Sequence, residues 1–343
     1  MRDVHSGAKP MVVVPDDING AFAASPELAR LQAVAQVHLH STRPADEAEL
    51  TARVRPADVV LSFRPAFTRF PAPVLRAADR LRMVCISGTG VEDVDVVEAT
   101  ARGVAVANVV GSSNRAVAEQ CLALMFAVAR HVALQDRTIR QGQWAARQGI
   151  ELGGKTLGII GLSGISSELA PLARALGMQV LSWSRNNDPA RARAVGATAV
   201  SLDEVLARAQ VISLHVRLNE ATRNMLGAPQ FARMQAGTIF INTARGGLVD
   251  EGALLDALRN GRLAGAGLDV FAQEPLPAGH PLLSLENVVM TPVAGWNTSD
   301  ASQRMIGRSI DNVLGFLSGQ PINVVNPEAL ASAAKSPGGR GKP

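Results

Sequence analysis

Tyrosine is absent from this 343-residue chain, and aromatic residues make up only 3% of it. So few rings exclude an aromatic platform on which nucleic-acid bases stack. Two cysteines, Cys85 and Cys121, are too few for a disulfide framework, and each sits in an apolar segment as a buried thiol of a reducing compartment would. No apolar run reaches the ~18 residues of a membrane-crossing helix, and the opening MRDVHSGAKPMVVVPDD lacks the apolar core of a secretory signal. The expectation is a cytoplasmic protein with no membrane partner. The net charge of +4 suits an anionic ligand, but no basic run interleaved with aromatics supports a nucleic-acid partner. The six histidines form no ligand set: His38 and His40 alternate onto one strand face without a third ligand, and no metal is expected. His5, His38, His40 and His131 read as solvent or packing residues.

What the chain does have is apolar mass, 47% hydrophobic residues, enough for two domains at this length. Residues 155–186, KTLGIIGLSGISSELAPLARALGMQVLSWSRN, organise the rest. Thr156–Ile160 is a short apolar run of the kind a buried parallel strand shows. The turn Gly161-Leu-Ser-Gly-Ile-Ser166 follows, then a helix with Leu169, Leu172, Ala173 and Leu176 on one face. Gly177 stops it, and Met178–Trp183 reads as the next strand. This is the strand–turn–helix–strand crossover that binds a dinucleotide, with the pyrophosphate on the N–H groups of Gly164 and Ile165 at the helix start. The glycine fingerprint has Gly161, but Ser163 and Ser166 replace its second and third glycines; the Ser163 hydroxyl is available to donate to a phosphate.

Strand and helix alternate along the chain. Strands are expected at Met11–Val14, Val37–His40, Asp58–Ser62, Arg82–Ile86 and Val104–Ala107, with helices near Pro26–Ala35, Pro44–Arg53, Pro71–Ala77 and Val94–Arg102, several opening on proline. That makes a five-stranded doubly wound first domain. Ala116–Arg130 is a helix apolar nearly all round, which must be buried between elements or between subunits. After the crossover come helices at Pro189–Val195, Leu202–Ala209 and Glu251–Asn260, and strands at Val211–Val216, Thr238–Asn242, Ala264–Val270 and Val288–Met290. A last helix, Ser299–Ser318, returns to the first domain. The first ten residues read as a loose tail and 331–343 as a disordered one.

In an open parallel sheet, ligands sit beyond the carboxyl ends of the strands. There the chain places Arg245 after Thr238–Asn242, Asp269 at the end of Ala264–Val270, Glu274 in the loop behind it, and Thr291-Pro292 after the last strand. An arginine holds a carboxylate through paired hydrogen bonds, and a carboxylate orients a histidine acid/base.

These residues resemble the D-isomer-specific 2-hydroxyacid dehydrogenases over nearly the whole chain. Ser87-Gly88-Thr89-Gly90 is similar to the family's substrate-carboxylate loop, and 108–119, NVVGSSNRAVAE, to its hinge and first interdomain helix. Asn242-Thr-Ala-Arg-Gly246 is similar to its catalytic-arginine motif, and Gly267-Leu-Asp-Val-Phe-Ala-Gln-Glu-Pro275 to its Asp…Glu-Pro motif. The resemblance implies a Rossmann cofactor domain (111–297) inserted in a flavodoxin-like substrate domain (1–110 with 298–330), both doubly wound parallel sheets, and a homodimer. It implies that Arg245 and Glu274 are catalytic, that Ser87 to Gly90 and Arg245 bind substrate, and that Thr243, Asp269 and His215 line the cofactor site.

One residue departs from the family. Its Thr-Pro-His is here Thr291-Pro292-Val293, and no histidine follows position 280. Valine carries no proton, and losing a general acid costs about 10²- to 10⁴-fold in rate. His280 reads as a surface or loop-packing residue. After the second strand, Ser184-Arg185-Asn186 stands where an NAD-selective unit has an acid for the ribose; the trio leans toward NADP, with Asp188 and Arg217 nearby. The expected function is NAD(P)-dependent hydride transfer on a small 2-oxo or 2-hydroxy acid, impaired by Val293 or relying on a water organised by Glu274 or Asn297. The alternatives are a catalytically inactive NAD(P)-binding regulatory protein of the same fold, or a structural protein that binds no dinucleotide.

Overall fold

The computed structural model describes residues 9–63 and 68–334. It divides into two compact units, one of Met1–Ser112 with Ser299–Pro343, the other of Ser113–Thr298. His5, most of the expected N-terminal tail and residues 335–343 lie outside the described residues.

The first unit is a five-stranded parallel sheet of β1 (Met11–Val14), β2 (Gln36–Leu39), β3 (Val59–Phe63), β4 (Met83–Ser87) and β5 (Ala105–Asn108), in the order β2-β1-β3-β4-β5. This is the flavodoxin-like order. One face packs on α2 (Glu47–Val54), α3 (Ala72–Ala77) and α4 (Val96–Ala101), through Val13, Val60, Val84 and Val106 against Leu50, Val74, Leu75 and Ala99. Alternation in a strand sends the intervening residues to the opposite face, which α1 (Leu28–Val34) and α12 (Ser299–Leu317) serve. Helix α12 is tied to β4 by the Ser87 and Ser309 hydroxyls, 2.6 Å apart, and to β5 by Asn312 Nδ2 donating to the Asn108 carbonyl at 2.9 Å.

The second unit holds seven parallel strands: β6 (Thr156–Ile160), β7 (Gln179–Trp183), β8 (Thr198–Ala199), β9 (Val211–Leu214), β10 (Thr238–Asn242), β11 (Leu263–Leu268) and β12 (Val288–Met290). Their order, β12-β11-β10-β9-β6-β7-β8, reverses direction at β6, as a Rossmann sheet does. Leu157, Ile159, Ile239 and Ile241 face α5 (Asn114–Ala129) and α7 (Gly164–Ala175). Ile160, Ile212, Phe240 and Leu268 face α9 (Leu202–Arg208), α10 (Ala228–Arg233) and α11 (Glu251–Arg259). Helix α5 is apolar because it is sandwiched against β10, β11 and α7 of its own unit; of its large apolar side chains only Phe126 is exposed.

Several expectations need correction. Residues 331–334 are not disordered tail but the end of helix α13 (Glu328–Ala334), built of alanine-rich sequence with high helix propensity and anchored by fully buried Ala329. Pro26 and Pro44 precede α1 and α2 instead of opening them. Helix α6 (Val132–Arg140) was not expected; His131 at φ 53 breaks it from α5 without a glycine. Helix α10 and the two-residue β8 were likewise not expected. His40 lies beyond β2, so it shares no strand with His38. Among the described residues no single helix is long and apolar enough to cross a membrane.

Candidate active site

The turn after β6 is built around Gly161. Its φ is +102°, and a Cβ there would stand 2.7 Å from the carbonyl of His215. Only glycine fits both demands. Its N–H donates to the Trp183 carbonyl at 2.7 Å, which fixes the turn between two strand ends. The two serines of the fingerprint form a capping box: the Ser163 N–H donates to Ser166 Oγ at 2.5 Å, and the Ser166 N–H donates to Ser163 Oγ at 3.4 Å. They cap α7 where glycines would leave bare backbone. This occupies the Ser163 N–H and leaves the first-turn N–H groups of Gly164 and Ile165, which have no intrahelical acceptor. Asn114 reaches the same turn: a Cβ on Gly164 would lie 2.1 Å from its Nδ2.

His215 follows β9 directly and is buried. Its Nε2 pairs with the Ser213 hydroxyl at 2.9 Å, while its Nδ1 is buried without a partner. Burial pushes its pKa down to about 4, so the ring is neutral at neutral pH and carries no imidazolium proton to give. The buried Asn187 Oδ1 is also unpartnered, in the turn after Ser184. Arg185 and Asn186 are exposed. Asp188 is committed elsewhere, capping α8 (Pro189–Ala194) through the N–H groups of Ala190 and Arg191. A glycine cradle that a Cβ would fill, beside buried polar atoms lacking partners, fits a dinucleotide.

At the next strand ends, Arg245 follows β10 and is exposed. Its loop is stitched by buried Asn242, whose Nδ2 donates to the Arg245 carbonyl and whose Oδ1 accepts from the Ala244 N–H, both at 3.0 Å. Gly246 lies against the following loop so closely that a Cβ would come within 2.0 Å of the Phe271 carbonyl. That contact sets the Arg245 turn against residues 271–274. There Glu274 Oε1 accepts from the Phe271 N–H at 2.9 Å. Thr243 is buried, its hydroxyl 3.2 Å from the Cys121 sulfur, whose pKa burial pushes up to about 11.

Asp269 follows β11 and is buried. Its carboxylate accepts from the Thr291 hydroxyl at 2.5 Å and from the N–H groups of Ala294 at 2.7 Å and Gly295 at 2.9 Å. These bonds span the loop that carries Val293, which adopts φ 54, an unusual conformation for a β-branched residue. The carboxylate that His280 pairs with is Glu251 and not Glu274: its Nε2 lies 3.0 Å from Glu251 Oε1. No group of three or more His, Cys, Asp or Glu suited to a metal occurs among the described residues.

In the first unit, Ser87 ends β4 with its hydroxyl turned to Ser309. The Gly88 N–H is used within the turn, donating to the Ile86 carbonyl at 2.9 Å. Of that loop, Thr89 and Gly90 retain N–H groups for an anion.

Comparison with known proteins decides the family. Residues 122–295 match the model described as "D-isomer specific 2-hydroxyacid dehydrogenase, NAD binding domain". The chain is 37% identical to a glyoxylate reductase of Korarchaeum cryptofilum, over 84% of this chain and 88% of that protein. It belongs to the D-isomer-specific 2-hydroxyacid dehydrogenase family. It is also 39% identical to D-3-phosphoglycerate dehydrogenase of Archaeoglobus fulgidus, over 76% of this chain but 50% of that one; the chain spans about half the length of that relative. Among solved structures it is similar to an acyclic imino acid reductase in complex with NADPH and D-Arg, with a TM-score of 0.79 and 26% identity over 92% of this chain and 99% of that one. Within this dehydrogenase fold, sequence reasoning missed Asn114 and Asn242. An asparagine at a strand's last position is the only signal for the latter.

Proposed function

We propose that the chain is an NAD(P)-dependent oxidoreductase acting at the C2 carbon of a small 2-oxo or 2-hydroxy acid. The observation that carries this is Arg245, set at the end of β10 by Asn242 and Gly246 in the unit that also holds the Gly161 cradle. Gly164 and Ile165 would hold the pyrophosphate, assisted by the Ser163 hydroxyl, with His215 walling the adenosine side. When bound, the nicotinamide supplies or accepts hydride. Arg245 anchors the substrate's carboxylate and polarises its carbonyl. In the first unit, taken by itself, the N–H groups of Thr89 and Gly90 are donors suited to a carboxylate. Asp269 contributes by holding the 291–295 loop in shape.

The lean to NADP rests on Ser184 and Arg185, with Asp188 engaged in its cap, and a relative solved with NADPH supports it. Exposed Val132, Ile139 and Trp144, on and just after α6, support a homodimer; light scattering reads its mass. A cytoplasmic location agrees with the two free, buried cysteines.

Steady-state oxidation of NADH and NADPH with glyoxylate, hydroxypyruvate and longer 2-oxo acids tests the assignment. Arg245→Gln is expected to lower kcat/KM by about 10²-fold or more, from loss of a charge-assisted bidentate contact. Equal turnover by the variant would remove the arginine from the reaction. Cofactor binding without turnover of any acid would favour a regulatory protein of the same fold.

A further inference from the structure

Ketone reduction puts negative charge on oxygen and needs a proton there. None of the second unit's histidines, nor its cysteine, is placed to give it. Val293 occupies the loop that Asp269 holds, His215 is buried against Ser213, and His280 is paired with Glu251. His131 lies at the start of α6, and Cys121 is buried against Thr243. What the strand ends do carry is a carboxylate with no histidine beside it. Glu274 is exposed, its Oε1 takes the Phe271 N–H, and its turn lies against Gly246, the neighbour of Arg245. Among the described residues Glu274 makes no ion pair, and a carboxylate so placed opposes charge growing on an alkoxide and favours binding of a positive charge on nitrogen.

We propose, building on the dehydrogenase reading above, that the substrate class of this site is the protonated 2-imino acid formed from a 2-oxo acid and an amine. The substrate's carboxylate meets Arg245, and its C=N–H⁺ group faces Glu274. Hydride adds to C2, the C=N π pair moves onto nitrogen, and the nitrogen keeps the proton it arrived with. The iminium becomes a neutral amine as the dihydronicotinamide is oxidised. No proton passes from the protein, so valine at 293 is no defect. It is an apolar wall on a turn whose left-handed backbone is kept at a cost of about 1–3 kcal/mol.

The full-length protein is incubated with NADPH or NADH and pyruvate, with and without methylamine, and the products are separated by mass spectrometry. N-methylalanine is expected to exceed lactate by about 10²-fold or more, the lower end of what a missing general acid costs the ketone. Calorimetry with the oxidised cofactor present is expected to show N-methylalanine binding about tenfold tighter than lactate, with Glu274→Gln abolishing that preference, because the carboxylate supplies the charge. Val293→His is expected to shift the product toward lactate. Lactate as the main product of the parent, or equal binding of the two acids, overturns the imine proposal and leaves the dehydrogenase reading standing. So does lactate from Val293→His where the parent makes neither product. No product from either protein removes both readings.

Discussion

The Asp269 carboxylate accepts the backbone N–H of Ala294 at 2.7 Å, one residue beyond Val293. Together with its bonds to Thr291 and Gly295, this ties the end of β11 to the loop after β12. Asp269→Ala would leave buried donors unpaired, at about 1–3 kcal/mol for each one. A lower urea midpoint with an unchanged m-value is expected. A stability equal to the parent's would show that the loop holds its shape without Asp269.

Gly161→Ala places a methyl where the His215 carbonyl stands and forces an L-residue to φ +102°. The strain is about 1–3 kcal/mol, and the turn must shift. NADPH affinity, read by nucleotide fluorescence, is expected to fall about tenfold or more, since ~1.4 kcal/mol is tenfold. An unchanged affinity would put the nucleotide elsewhere.

His215 makes stability depend on pH in a defined direction. Its pKa falls from an ordinary 6.5 to about 4 in the fold, so between those values the unfolded chain binds the extra proton. Stability is therefore full above about 6.5 and is lost as pH falls toward 4. Thermal melts at pH 7.5 and 5 are expected to differ more in the parent than in His215→Gln. Equal differences would assign the acid sensitivity to other groups, of which buried Asp16 has the opposite sign. Burial raises its pKa, so it binds its proton more readily in the fold.

Cofactor choice is tested at Ser184. A carboxylate placed there accepts from a ribose hydroxyl and repels a 2′-phosphate. Ser184→Asp is expected to lower the NADPH-to-NADH affinity ratio by about tenfold or more. An unchanged ratio would remove the 184–186 turn from cofactor discrimination.

Much of this was legible where a short apolar run met a glycine. The strands at 156–160, 238–242 and 288–290 have the bounds their sequences suggest, because a strand buried on both faces reads as an unbroken apolar run. Helix α6 was hidden because its break from α5 falls at His131, whose left-handed φ of 53 does the work a glycine usually advertises. Ser163 and Ser166 looked like flaws in a glycine pattern. Their reciprocal capping is visible only once the helix start is known. Arg245, Asp269 and Glu274 could be placed at strand ends from sequence, but not their partners: the pairing of β11 and β12 brings Thr291 to Asp269, while Asn242 and Phe271 meet Arg245 and Glu274 through turns three residues long.

The most direct measurement is a crystal structure of the chain with NADP⁺. The pyrophosphate is expected on the N–H groups of Gly164 and Ile165, with His215 walling the adenosine. A dinucleotide bound away from the Gly161 turn, or a turn filled by the protein's own side chains, would contradict the assignment.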